Sequence, residues 1–241
     1  MVLEKSLIEV ENLTVDYIDF SRTIWNPLGE KFLYRAIEEI SLSVQEGDVV
    51  ALIGKNGGGK STLLRVIAGL QRPSKGKIVT KGRVVLLAGT NPGFVGYLSG
   101  RENVHNLALA YGVKKDCVDE FAEGVFRFAS IGDALDRPIK GYSAGMKGKL
   151  GFGFITALDP DILLIDETLG VGDEEFRAKA QRRLKEFLGK SGCVIISTHS
   201  LGLARDLCNK GIVLDAGKLA TFSEIEESML AYRSIIKDGK Q

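Results

Sequence analysis

The stretch that most constrains this chain is Gly54-Lys55-Asn56-Gly57-Gly58-Gly59-Lys60-Ser61-Thr62, which fits G-x-x-x-x-G-K-[ST]. Its context decides what it means. The continuous apolar run Val49-Val50-Ala51-Leu52-Ile53 leads into it, as a strand buried on both faces would. A helical pattern over 62–70 follows. In a strand–loop–helix of this kind, successive backbone N–H groups curl into a concavity that holds an anion. The helix N-terminus adds its partial positive charge. Glycine is needed where the chain approaches phosphate oxygens and where φ must be positive. Gly54, Asn56, Gly57, Gly58, Gly59, Lys60, Ser61 and Thr62 are therefore expected to cradle the phosphates of a nucleotide. Lys60 supplies a point charge for the β- and γ-phosphates, and the Ser61 hydroxyl is placed to coordinate Mg²⁺.

Two further apolar runs carry polar residues at their ends. Ile162-Leu163-Leu164-Ile165 runs into Asp166-Glu167. At the carboxyl edge of a parallel sheet, such carboxylates reach the crevice where ligands bind. Asp166 is the expected partner of Mg²⁺, through water, and Glu167 the expected base or orienter of the attacking water. Cys193-Val194-Ile195-Ile196 leads to Ser197-Thr198-His199, which brings His199 towards the γ-phosphate from the side. Between these runs lie helical patterns, such as Phe176, Ala180, Leu184, Phe187 and Leu188 along one face. Strands alternating with helices imply an α/β fold with a parallel sheet and right-handed crossovers.

The middle of the chain differs, for no strong strand run appears between Asn91 and Leu158. Helices are expected over 102–111 and 114–130, the second with an apolar stripe of Val118, Phe121, Ala122, Val125, Phe126 and Ala129. The organisation expected is a core, residues 1–90, interrupted by a helical subdomain, 91–158, and resumed over 159–241. A hairpin turning at Asp215-Ala216-Gly217 and a last helix carrying Ile225, Met229, Tyr232 and Ile236 close the sequence. The charge balance, 32 basic against 31 acidic residues, gives no argument for a broad nucleic-acid surface. No run approaches the roughly 18 to 20 apolar residues of a membrane span, and no signal peptide is visible at the start. Cys193 and Cys208 read as buried small residues, which suits a reducing compartment.

Tyr142-Ser143-Ala144-Gly145-Met146 precedes a helix expected over 147–158. With the motifs before and after it, this segment resembles the signature of ABC transporters, whose common form is Leu-Ser-Gly-Gly-Gln. The resemblance covers nearly the whole chain. It implies a RecA-like P-loop NTPase core with an inserted α-helical subdomain, and a cytoplasmic ATPase, peripheral to the membrane, that drives a separate integral membrane permease. It also implies that a second copy faces the first head to tail, with two ATP molecules between them. Ser143 and Gly145 would then meet the γ-phosphate of ATP held by the other copy.

Departures narrow the resemblance. Met146 stands where glutamine is common, and Thr168-Leu169-Gly170-Val171-Gly172-Asp173 follows Glu167, with Asp173 matching the aspartate of that loop. These variants, and Leu98-Ser99-Gly100-Arg101-Glu102-Asn103, are similar to those of exporters of lipid-linked polysaccharides such as O antigen, capsule and teichoic acid. The metal-contacting glutamine usual before the helical insertion is replaced in its region by Thr90 or Asn91. Tyr17 matches the position that stacks on adenine, and Tyr34 is the alternative, because an extra segment over 21–32 lies between them. That segment holds Trp25 and Leu28 and is expected at the membrane–water boundary, where Trp and basic residues are favoured. Some of these exporters carry a sugar-binding domain after the ATPase. With Gln241 as the last residue here, the expectation is either an exporter without that module or a longer chain.

Overall fold

The computed structural model describes residues 5–18, 33–88, 91–166, 174–188 and 192–238. In chain order its elements begin with β1 (Ser6–Ile18), β2 (Leu33–Gln45), β3 (Val49–Gly54), α1 (Lys60–Ile67), β4 (Lys75–Thr80) and β5 (Val84–Ala88). The helices α2 (Gly100–Ala110), α3 (Val118–Ala129) and α4 (Ala144–Ala157) follow, then β6 (Ile162–Asp166) and α5 (Glu174–Leu188). The chain closes with β7 (Cys193–Ser197), α6 (Leu201–Leu207), β8 (Lys210–Asp215), β9 (Lys218–Glu224) and α7 (Ile225–Asp238). Two compact units result: Met1–Gly82 with Cys193–Gln241, and Arg83–Gly192.

In the first unit, β1 lies between β2 and β4 in an antiparallel sheet. Cross-strand pairing of β1 with β2 continues to Ile18 opposite Leu33. Tyr17 and Tyr34 thus become direct cross-strand partners. Strands β7, β3, β8 and β9 form a second set in that order, the first three parallel and β9 antiparallel to β8. Every residue of β3 and β7 is buried, which is why their sequences run apolar without alternation. The β8–β9 turn uses two left-handed residues, Ala216 (φ 46°) and Gly217 (φ 84°), as a two-residue hairpin needs. Helix α1 buries Leu63, Leu64, Val66 and Ile67. It stops at Ile67, short of the expected end, because Gly69 takes φ 71°. Gly69 N–H then donates to Val66 O, and Leu70 N–H to Arg65 O, which satisfies the last carbonyls of the helix.

In the second unit, β5 and β6 pair in parallel from Val84 opposite Ile162 to Ala88 opposite Asp166. Among the described residues the other elements of this unit are helical, α2, α3, α4 and α5 with short 3₁₀ turns. Helix α2 begins at Gly100 because Ser99 caps it and Glu102 reaches back to the Ser99 N–H. The helix expected over 114–130 divides into a 3₁₀ turn, Lys115–Cys117, and α3. The α3 stripe Val118, Ala122, Val125, Phe126 and Ala129 is buried. Phe154 of α4 receives Tyr111 and Phe121 edge-on, each with centroids 5.4 Å away. Phe128, Phe152 and Phe176 knit α3, α4 and α5 into a second aromatic cluster. Among the described residues no helix is long and apolar enough to cross a membrane.

Candidate nucleotide site

The loop after β3 is wedged into the first unit. A Cβ on Gly54 would lie 2.5 Å from Leu214 O, and one on Gly59 2.6 Å from Ala36 O. Gly59 is also the N-cap of α1, at φ 97°, so both its space and its conformation call for glycine. No side chain caps α1 and no acidic residue sits in its first turn. The first N–H groups of a helix have no intrahelical acceptor, so this end is built for an external anion. Lys60 is 8% exposed, with its ammonium folded over the loop, donating to Gly54 O at 2.9 Å and Lys55 O at 3.0 Å. Asn56, Gly57 and Ser61 are exposed at the mouth.

His199 issues from the same sheet edge. Strands β7 and β3 run parallel with Ser197 opposite Leu52, and Thr198 N–H donates to Leu52 O at 3.3 Å. His199 follows, exposed, before Ser200 caps α6. In the second unit, Asp166 closes β6, half-buried, at the carboxyl end of its strand pair. Ser143 caps α4, its hydroxyl accepting from Met146 N–H at 3.2 Å, so the helix begins at Ala144 rather than at Lys147. Beside it lies an open concavity of ≈ 530 Å³ lined by Ser130, Arg137, Ser143, Gly145, Met146 and Lys149, among others.

The ABC transporter family model matches residues 37–170. This chain belongs to the ABC transporter family. It is 38% identical over 205 residues to the O-antigen export system ATP-binding protein RfbB of Klebsiella pneumoniae, covering 85% of this chain and 82% of that one. It is 35% identical over 240 residues to the teichoic acids export ATP-binding protein TagH of Bacillus cereus. That match covers 97% of this chain and 44% of the relative, so the chain spans less than half of that protein's length. A solved structure described as the ATP-binding subunit of an ABC transporter superposes with TM-score 0.78, over 94% of each chain at 24% identity. That likeness concerns the fold, which is the α/β ABC ATPase fold expected from the motifs.

Within this ABC ATPase several expected residues acquire a definite setting. Tyr17 donates from its hydroxyl to Gln71 Oε1 at 2.7 Å and lies 3.3 Å from Thr62 Oγ1, so it braces the first turn of α1. Tyr34 is 55% exposed and donates to Gly57 O at 3.4 Å, over the phosphate loop. The Asn91 amide is engaged in its own turn: its Oδ1 accepts from Gly93 N–H at 2.9 Å and from Phe94 N–H. A Cβ on Gly145 would meet nothing within 4 Å except Ser143 Oγ at 3.8 Å, so this chain's own packing gives no reason for glycine there. Arg137 and Lys149 beside the signature escaped the sequence reading. Lys149 carried a signal, standing one helical turn beyond Gly145, whereas Arg137 is brought in by the fold alone. Burial pushes the Cys193 and Cys208 thiols up to about 12, which makes both inert. Glu167, Asp173, Thr90 and the 21–32 segment with Trp25 lie outside the described residues. Among the described residues no cluster of three metal-ligating side chains occurs.

Proposed function

We propose that this chain is the ATP-hydrolysing subunit of an exporter of lipid-linked polysaccharide, working as a head-to-tail pair of copies beneath a membrane permease. The observation that carries the ATPase reading is the phosphate loop: an uncapped helix N-terminus, a buried lysine and glycines pressed against β2 and β8. Lys60 exchanges its two carbonyl acceptors for phosphate oxygens. The α1 N–H groups orient the phosphate chain. Ser61 and, through water, Asp166 are the residues that would hold Mg²⁺, which supplies neutralisation of phosphate charge. Glu167 orients the attacking water, and His199 approaches from the end of β7, the strand beside β3. Asp173 is the residue that matches the family's aspartate after the acidic pair.

The pair is supported by Gly145. Gly145 is the second residue of α4, directly after the Ser143 cap and Ala144. Here the open space above it suits close approach by a group from another chain, the γ-phosphate held by the second copy. The cargo class follows the relatives, whose names speak of O-antigen and teichoic acid export.

The test is to reconstitute the chain with a candidate polysaccharide-exporter permease and to measure ATP hydrolysis and lipid-linked glycan export together. Both are expected, and both are expected to vanish in Glu167→Gln while ATP binding persists. Hydrolysis without glycan movement would retain the ATPase and remove the cargo assignment. Undiminished turnover in Glu167→Gln would remove the role of Glu167.

A further inference from the structure

Tyr142 stands directly before Ser143, where the common form of the signature has leucine. Its side chain is 6% exposed. The hydroxyl donates to Ala134 O, in the 3₁₀ turn Gly132–Asp136, and faces Gly100. Gly100 is the first residue of α2. A Cβ on Gly100 would overlap the phenol oxygen. The neighbouring backbone is stitched along the same line: Ile139 N–H donates to Leu98 O at 3.0 Å and Lys140 N–H to Gly96 O at 2.8 Å. Asn103, 1% exposed, secures the other side by donating to Val95 O, Leu98 O and Ser99 O and accepting from Val95 N–H.

Three segments therefore meet at one hydroxyl: the start of α2, the 132–136 turn and the entry to α4. A leucine fills comparable volume and lacks the bond to Ala134 O. A side chain on Gly100 removes the room for the hydroxyl. We infer that Tyr142 is a positioning residue that, with Gly100 as its steric counterpart, aims Ser143 and the α4 N-terminus at the nucleotide of the second copy. This rests on the head-to-tail reading above. Tyr142 itself touches no substrate. Its influence passes through the direction in which the chain enters the signature helix.

The experiment uses the full chain carrying Glu167→Gln and measures two quantities. One is the affinity for a fluorescent ATP analogue at the phosphate loop of the monomer. The other is the ATP-dependent dimerisation constant from sedimentation. Adding Tyr142→Phe is expected to leave nucleotide affinity within about twofold and to weaken dimerisation about tenfold, the effect of losing the one buried bond to Ala134 O. Tyr142→Leu should behave alike, and serves if the phenylalanine variant folds poorly. Gly100→Ala should weaken dimerisation at least as much. Combined with Tyr142→Phe it should do no further harm, because the oxygen it displaces is gone. A Tyr142→Phe chain that dimerises like its parent, even with a lowered melting temperature, overturns the inference, as does strict additivity of the two changes. If the Glu167→Gln parent fails to dimerise with ATP, the head-to-tail reading falls first and takes this inference with it.

Discussion

Lys60 shows how a single residue reports on the site around it. A lysine ammonium is strongly hydrated, and keeping it 8% exposed requires acceptors in place of water. The Gly54 and Lys55 carbonyls supply them at 2.9 and 3.0 Å. The two tyrosines divide their work in a similar way. Tyr17 has its hydroxyl committed to Gln71, while Tyr34 leaves its ring 55% exposed beside the loop. Tyr34→Ala should therefore weaken ATP binding by about 5- to 150-fold, from about 1–3 kcal/mol of stacking, in an equilibrium titration. The same loss from Tyr17→Ala alone would return the base platform to Tyr17. The thiols give a pH prediction. Burial lifts Cys193 and Cys208 from about 9 to about 12, so their contribution to stability is complete below pH 9 and is lost as pH rises towards 12. The denaturation midpoint should fall across that window, and less steeply in a Cys193→Ala, Cys208→Ala variant. In the native protein a thiol reagent should modify Cys117, which is exposed, and spare the other two.

At the scale of elements, caps and turns decide where helices begin and end. Ser99 and Glu102 form a reciprocal capping box at the start of α2. The Glu102 carboxylate is held below its ordinary range by the Ser99 N–H and hydroxyl. A lowered carboxylate contributes stability above the unfolded value and loses it as pH falls through the folded one. The melting-temperature difference between the parent and Glu102→Gln should accordingly shrink as the medium is acidified below about pH 4. Asn103→Ala removes a buried amide that bonds Val95 N–H and the Val95, Leu98 and Ser99 carbonyls; Leu98 O and Ser99 O keep the Ile139 and Asn103 N–H groups, while Val95 loses both of its bonds to the amide. It should cost about 1–3 kcal/mol or more in chemical denaturation. These devices were partly legible. The S-x-x-E spacing of Ser99 and Glu102 is a local signal. The end of α1 at Ile67 depended on Gly69 adopting φ 71°, a choice between a glycine inside a helix and one just beyond it that periodicity does not make.

For the molecule as a whole, the prediction belongs to association. The head-to-tail pairing proposed above makes turnover depend steeply on chain concentration at low protein, a dependence expected to disappear once dimers saturate. A rate strictly proportional to concentration over the whole range would contradict a shared site. Replacing Trp25 and Leu28 by serine should impair glycan export and spare basal hydrolysis in the reconstituted transporter. Normal export by that variant would remove the membrane-boundary role proposed for the 21–32 segment.

The sequence by itself determined the family and the phosphate loop. Gly54–Thr62, Asp166–Glu167, Tyr142–Met146 and His199 are contiguous signals whose spacing is read without knowing what lies opposite. The buried strands were legible for the same reason, since a strand covered on both faces must be apolar at every position. The tertiary structure alone decided what depends on partners distant in the chain. It set Tyr34 opposite Tyr17, Ala36 against Gly59 and the Tyr142 hydroxyl upon Gly100. It also brought Arg137 and Lys149 to one concavity beside the signature. Each of these follows from packing, in which side-chain volume and hydrogen-bond geometry select neighbours that no local pattern encodes.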